Sequence, residues 1–235
     1  MKKRIFAAVL LLCLLFTACG ANPSDNSGSE ADSTITFTDD LERDVTVTAP
    51  GRVAALLGSF AQVWMLAGGE ICATADDAWD DLDLALPETA VNLGGTKNLN
   101  MELLLSAQPD FILASTNTRQ NMEWQETLDA IGVPVAYFDI DDFDDYLRLL
   151  KICTDITGRG DLYEQHGTAV QAEIEEVLTK SRKRVDEKGA PAVLCMVASA
   201  SAVYAKNSEG NVLVQCLKRW AAIISPTLTP CCWKI

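Results

Sequence analysis

The sequence predicts an α/β protein of two lobes, with parallel sheets flanked by helices, one long rigid helix joining the lobes, and a second lobe that is incomplete. Three observations carry this. Short apolar strands alternate with helices from Val53 to Thr157, the pattern of a parallel sheet covered on both faces. Helical periodicity then runs from Asp161 to about Glu187. Strand patterning restarts after Pro191 and ends at Ala221 in a stretch with no periodicity. With 235 residues, 49% of them hydrophobic, the chain is large enough for one or two lobes with a real core.

Residues 34–48 (TITFTDDLERDVTVT) are two alternating runs around Asp39-Asp40-Leu41-Glu42, a hairpin pattern. Val53 to Leu57 is an apolar strand, and Ser59 is placed to cap a helix from Phe60 to Ala67. Ile71 to Ala75 predicts a strand, Met101 to Ala107 a short amphipathic helix, and Phe111 to Ala114 a strand. Met122 to Ile131 reads as a helix, Val133 to Phe138 as a strand, and Phe143 to Thr157 as a helix. In the long helix, Val170, Ile174, Val177 and Leu178 recur at helical spacing, and Gly167 is the weak point. At 1.5 Å per residue this helix reaches roughly 40 Å, about the width of a domain. Ala192 to Ala198 and Ala202 to Ala205 then predict strands.

The net charge is −14 and the expected pI about 4.4, which speaks against nucleic-acid binding, since that needs a basic face. Lys2, Lys3 and Arg4 precede an uncharged apolar run from Ile5 to Ala18. That run is too short to span a bilayer, which takes about twenty residues, and suits a signal peptide. It ends in Leu15-Phe16-Thr17-Ala18-Cys19-Gly20, which resembles the bacterial lipobox, with Phe16 where the pattern prefers leucine. Lipidation is therefore expected at Cys19; the alternative is an ordinary cleaved leader. Residues 20–33 (GANPSDNSGSEADS) are polar and aperiodic, as a tether would be. Cleavage before Cys19 removes three cations and leaves a charge of −17. So acidic a surface does not cling to anionic lipid, and a covalent anchor would hold it at the extracytoplasmic face of the cell membrane.

Cys72, Cys153, Cys195 and Cys216 stand singly, without any C-x-x-C, and read as small apolar residues. His166 is the single histidine, so a His-rich metal site is not available, and a Ser-His-Asp arrangement would have to use it as base. No P-loop, G-x-G-x-x-G or G-x-S-x-G occurs. Residues 139–145 (DIDDFDD) lack the glycine and the closing glutamate of a calcium loop and read as an acidic cap on the next helix.

Residues 53–69 (VAALLGSFAQVWMLAGG) and 92–115 (NLGGTKNLNMELLLSAQPDFILAS) carry a resemblance, in Gly94-Gly95, Leu99 to Glu102, and Pro109-Asp110. Ile131-Gly132-Val133-Pro134-Val135, Phe143-Asp144-Asp145-Tyr146, Thr157-Gly158-Arg159 and residues 207–213 (NSEGNVL) extend it. In this order the motifs resemble the periplasmic-binding-protein family serving ABC importers of iron-siderophores, haem and cobalamin. The resemblance covers residues 34–213 and implies two α/β lobes joined by one long rigid helix, with ligand held between them. It implies a ferric siderophore, haem or cobalamin as ligand. As partners it implies an ABC permease with its ATPase subunits, the binding protein acting as a monomer and without catalysis.

Candidate ligand contacts are then Ser59, Asp77, Trp79, Lys97, Asn117 and Arg119 from the first lobe, with Tyr204 and Lys206 from the second. Trp79 and Tyr204 suit stacking on a planar ligand, and Lys97, Arg119 and Lys206 suit an anionic one. Each is otherwise a solvated loop residue. Glu102 matches the family glutamate that docks on the permease, and equally suits the start of a helix.

Members of the family are longer than this chain. Back-translation of residues 231–235 (CCWKI), shifted by one nucleotide, reads a leucine pair followed by glutamate, a sequence like the family's continuation. The expectation is a one-nucleotide slip near the codon for Val214. The domains expected are residues 1–18 signal peptide, 19–33 lipidated cysteine and tether, 34–158 first lobe and 159–188 spanning helix. Residues 189–213 would then begin the second lobe, and 214–235 would be an out-of-frame tail. Two rivals remain: an extracytoplasmic α/β enzyme of hydrolase type, and a surface adhesion or scaffold lipoprotein.

Overall fold

The computed structural model describes residues 34–193, 195–198, 202–206, 212–219, 223–224 and 233–234. The leader, Cys19 and the tether lie outside the described residues; of Tyr204 and Lys206 only the backbone is described. Among the described residues no helix is long and apolar enough to cross a membrane.

The chain opens on the expected hairpin, β1 (Thr34–Thr38) paired antiparallel with β2 (Asp44–Thr48). Its inner side chains, Val45 and Val47, are buried against the lobe, and Phe37 stacks on Phe138 at 6.1 Å. The turn is organised by the Asp39 carboxylate, which accepts from the Leu41 and Arg43 amides, from Tyr137 N and from the Arg43 guanidinium.

A five-stranded parallel sheet follows, in the order β5-β4-β3-β6-β7. Its strands are β3 (Val53–Ala55), β4 (Ile71–Thr74), β5 (Val91–Asn92), β6 (Phe111–Ser115) and β7 (Val135–Phe138). β3, β6 and β7 are buried throughout, which is why their sequences are continuous apolar runs. One face is covered by α1 (Gly58–Leu66) and α6 (Phe143–Thr157), burying Trp64, Phe111, Phe138 and Leu150. The other is covered by α3 (Met101–Ser106), α4 (Arg119–Glu123) and α5 (Gln125–Ala130), burying Leu93, Leu104, Leu128 and Tyr137. Asp110, expected to lead into a strand, ties that end of the sheet by accepting from Gly51 N at 2.8 Å and Arg52 N at 2.9 Å.

Two local expectations are corrected, and two short elements are added. The first helix begins at Gly58 with Leu57 as N-cap and no side-chain cap, so Ser59 lies inside the first turn. The Gly58 amide is satisfied instead by Asp77 Oδ1 at 2.9 Å, from nineteen residues away. The helix expected over 122–131 starts at Arg119 and divides at Trp124, the C-cap of α4 and N-cap of α5. A one-turn helix α2 (Asp77–Asp80) and the two-residue β5 were not foreseen, being shorter than any periodicity window.

The acidic segment is a helix cap, as expected. Asp142 Oδ1 accepts from Asp144 N at 2.8 Å and Asp145 N at 3.1 Å, while Asp145 reaches back to Asp142 N at 3.1 Å. The predicted long helix is present as α7 (Gly160–Tyr163), a π-turn (Glu164–Thr168) and α8 (Ala169–Lys188). Gly167 is buried in the π-turn, where a Cβ would stand 3.2 Å from Leu147 and 3.4 Å from Leu150. Beyond Pro191 come β8 (Ala192–Val193), β9 (Cys195–Ala198), β10 (Ala202–Lys206), α9 (Val212–Arg219), β11 (Ile223–Ile224) and β12 (Trp233–Lys234). They form an antiparallel β12-β10-β9 sheet and a separate β8-β11 pair. Cys216 and Arg219 of α9 share an apolar groove with Phe143, Val170, Ile174 and Val177, and Arg219 reaches Asp144 at 3.2 Å. Cys153 and Cys195 are buried as small apolar residues, and burial pushes the Cys153 thiol pKa up.

Candidate ligand-binding site

Strand order decides where a ligand has room. From β3 the chain moves outward through β4 to β5, then returns past β3 to β6 and β7. The connections after β3 and β6 therefore run to opposite faces of the sheet, and a crevice opens between them at its carboxyl edge. Two adjoining cavities occupy that crevice and share Leu57, Asn117 and Thr118. The first, about 550 Å³, is lined by Thr96, Lys97, Arg119, Gln120 and Glu123. The second, about 420 Å³, lies between Ser59, Phe60, Val63 and Leu66 of α1 and Ile140, Tyr146 and Leu149.

Each wall is fixed by local chemistry. The loop bearing Lys97 turns at Gly94, whose φ of +91° is open to glycine at little cost. Asn92 Oδ1 accepts the Gly94 amide at 2.8 Å, and the Gly94 carbonyl accepts Asp76 N at 3.0 Å. Gln120 then clips the loop to α4: its Oε1 accepts from Leu99 N at 2.7 Å and its Nε2 donates to Leu99 O at 3.0 Å. Replacing Gln120 with alanine removes both bonds, so we expect a loss of about 1 kcal/mol in stability and weaker ligand binding as Lys97 loosens. Thermal denaturation beside a binding titration checks this; an unchanged melting curve would mean the clip holds nothing.

Asn117 sits at the junction of the cavities. Its amide donates to Ser115 Oγ at 3.1 Å and its side chain donates to Asp139 Oδ1. The arrangement is anchored by Asn121, whose Oδ1 accepts Ser115 N at 2.9 Å. Arg119 projects into solvent with 91% of its side chain exposed, Nε 2.7 Å from Glu123. Tyr146 turns its hydroxyl away to donate to the His166 carbonyl at 3.0 Å, and burial raises its pKa.

The structure thus brings Ser59, Lys97, Asn117 and Arg119 together at one cleft. Asp77 and Trp79 lie on α2 at the same edge of the sheet but line neither cavity. The Asp77 carboxylate is occupied by Gly58 N, and burial pushes its pKa up although that bond favours the charged form. Tyr204 and Lys206 are on β10. Glu102 is exposed in the first turn of α3, whose cap Asn100 accepts Glu102 N at 2.9 Å and Leu103 N at 3.1 Å. His166 is in the π-turn and lines neither cavity, so it offers no base there to a hydrolase. Sequence reasoning missed Gln120, Glu123 and Tyr146. The i, i+4 spacing of Arg119 and Glu123 was a visible signal; the others depend on long-range packing.

A doubly wound lobe with a crevice at its strand reversal, left by one long helix, defines the class of two-lobed α/β binding folds. Residues 53–217 match the periplasmic binding protein family, and the chain belongs to it. An ABC transporter substrate-binding lipoprotein of Bacillus subtilis (strain 168), YvrC, is 24% identical over an alignment of 195 residues that covers 77% of this chain. The chain spans 60% of that relative's length. Among solved structures, the periplasmic catecholate-siderophore binding protein VctP from Vibrio cholerae aligns with a TM-score of 0.67 at 15% identity, over 84% of this chain and 70% of its own. DesE, a ferric-siderophore receptor protein from Streptomyces coelicolor, aligns with a TM-score of 0.65 at 18% identity, over 82% and 70%. At these identities the likeness to the solved structures is one of fold.

Proposed function

We propose that this chain is the solute-binding component of an ABC importer. It captures a ferric siderophore, or a related chelate or tetrapyrrole such as haem or cobalamin, and delivers it to a membrane permease without catalysis. A lipid on Cys19 would hold it at the extracytoplasmic face, and Glu102 would contact the permease. The observation that carries this is the cleft at the strand reversal, where Ser59, Lys97, Asn117 and Arg119 converge. Membership of the periplasmic binding protein family and the likeness to a substrate-binding lipoprotein support it. Equilibrium binding to ferric siderophores, haem and cobalamin tests the role. Saturable binding of one of them is the expected result, and failure of all of them would sink the proposal.

A further inference from the structure

The two cavities differ in chemistry, and the sheet edge divides them. The charged side chains lining the cleft are all in the first: Lys97 and Arg119, opposed by Glu123 alone. The second is lined by no charged residue; Phe60, Val63 and Leu66 face Ile140, Tyr146 and Leu149 across it. The Tyr146 hydroxyl is already committed to the His166 carbonyl. On a chain of net charge −14, a local excess of cations is where an anion is drawn. A charged group pushed into the second cavity would lose water and meet no opposite charge, only the neutral Ser59, Gln62 and Ser115 among apolar side chains.

We propose that the cleft selects an amphipathic anion. Its anionic edge lies at Lys97 and Arg119, and an aromatic or aliphatic body of the same molecule fills the uncharged cavity beside α1. Leu57, Asn117 and Thr118 join the two compartments, so one ligand spans both. In the free protein Glu123 occupies Arg119 at 2.7 Å, and the ligand's oxygens displace it. A chelate charged on every side leaves charge against the apolar wall, and an uncharged chelate gains nothing from the two cations. This inference rests on the chelate-binding role proposed above.

The test is equilibrium dialysis of the full chain against four probes: an iron(III) tris-catecholate, haemin, dicitratoiron(III) and an iron(III) trihydroxamate. The tris-catecholate or haemin should bind at least about tenfold tighter than the other two, since only they bring apolar surface to bury beside anionic oxygen. For the preferred probe, Ile140→Asn should lower affinity about tenfold. Exchanging Lys97 and Arg119 together for glutamine should weaken it about three- to tenfold and flatten its salt dependence. Lys97 and Arg119 are exposed, so the double variant keeps the fold, and the four-probe comparison on the unaltered chain decides even if Ile140→Asn does not fold. Dicitratoiron(III) or the trihydroxamate binding as tightly as the preferred probe overturns the selectivity and leaves the chelate-binding role standing. Failure of all four probes removes that role and the selectivity with it.

Discussion

Asp39→Ala should destabilise the first lobe by about 3–5 kcal/mol, the range for removing one partner of a buried charge pair. Asp39 is 4% exposed and accepts five hydrogen bonds, at 2.7 Å from Arg43 Nη2, 3.0 Å from the Leu41 and Arg43 amides, 3.1 Å from Arg43 Nε and 3.2 Å from Tyr137 N. Its loss leaves the Leu41, Arg43 and Tyr137 amides unmet and takes the nearer carboxylate from the Arg43 guanidinium, which keeps Asp129 at 3.1 Å and Val135 O at 2.9 Å and lies 4.9 Å over the Tyr137 ring. Burial alone would raise the Asp39 pKa, but the bonds from Arg43 and Tyr137 outweigh it and hold the carboxyl below its usual range. The sign follows: the stabilisation is present above the unfolded value of about 3.9 and is lost as pH falls through the lower folded value. Urea unfolding at neutral pH, repeated below about pH 4, checks both parts. The difference between wild type and variant should be largest near neutrality and shrink in acid; a variant within 1 kcal/mol of wild type at pH 7 would show that the turn does not depend on this carboxylate.

Gly58→Ala should cost about 1–3 kcal/mol, the range for an overpacked methyl, and should weaken ligand binding as well. An added Cβ would lie 2.6 Å from the backbone nitrogen of Ala78 and 2.8 Å from its Cα, atoms that cannot swing aside as a side chain would. Either α1 or α2 must move, and the bond from Gly58 N to Asp77 stretches. Because α1 carries Ser59, Phe60, Val63 and Leu66 into the cleft, the damage should appear in affinity even where the variant remains folded. Thermal melting and a titration on the same sample separate the two effects. Wild-type affinity in a destabilised variant would disconnect the start of α1 from the cleft.

Most of the lobe was legible because its signals were local. Phe143 to Thr157 was bounded correctly since Asp142 and Asp145 form a capping box at one end and Gly158, at φ +70°, closes the other. The buried strands were legible as apolar runs. What escaped was set at a distance or on a scale too short to leave a pattern. Ser59 looked like a cap because the residue that meets the Gly58 amide, Asp77, is remote in sequence. Among the candidate contacts, Lys97 and Arg119 stood out by charge. Phe60, Val63 and Leu66 of the same cleft looked like any helix facing a core, since one apolar stripe serves both purposes.

The π-turn at Glu164–Thr168 has a consequence for register. A wide turn takes one residue more than an α-turn over the same rise, so it sets the angular phase of everything after it. One residue fewer there would turn α8 by about 100° about its axis. The row of Val170, Ile174 and Val177 that meets α9 would swing out of that groove, while Ala169–Lys188 remained a perfectly good helix. The segment that leaves the first lobe is therefore indexed as well as long, and its phase decides which of its side chains meet α9.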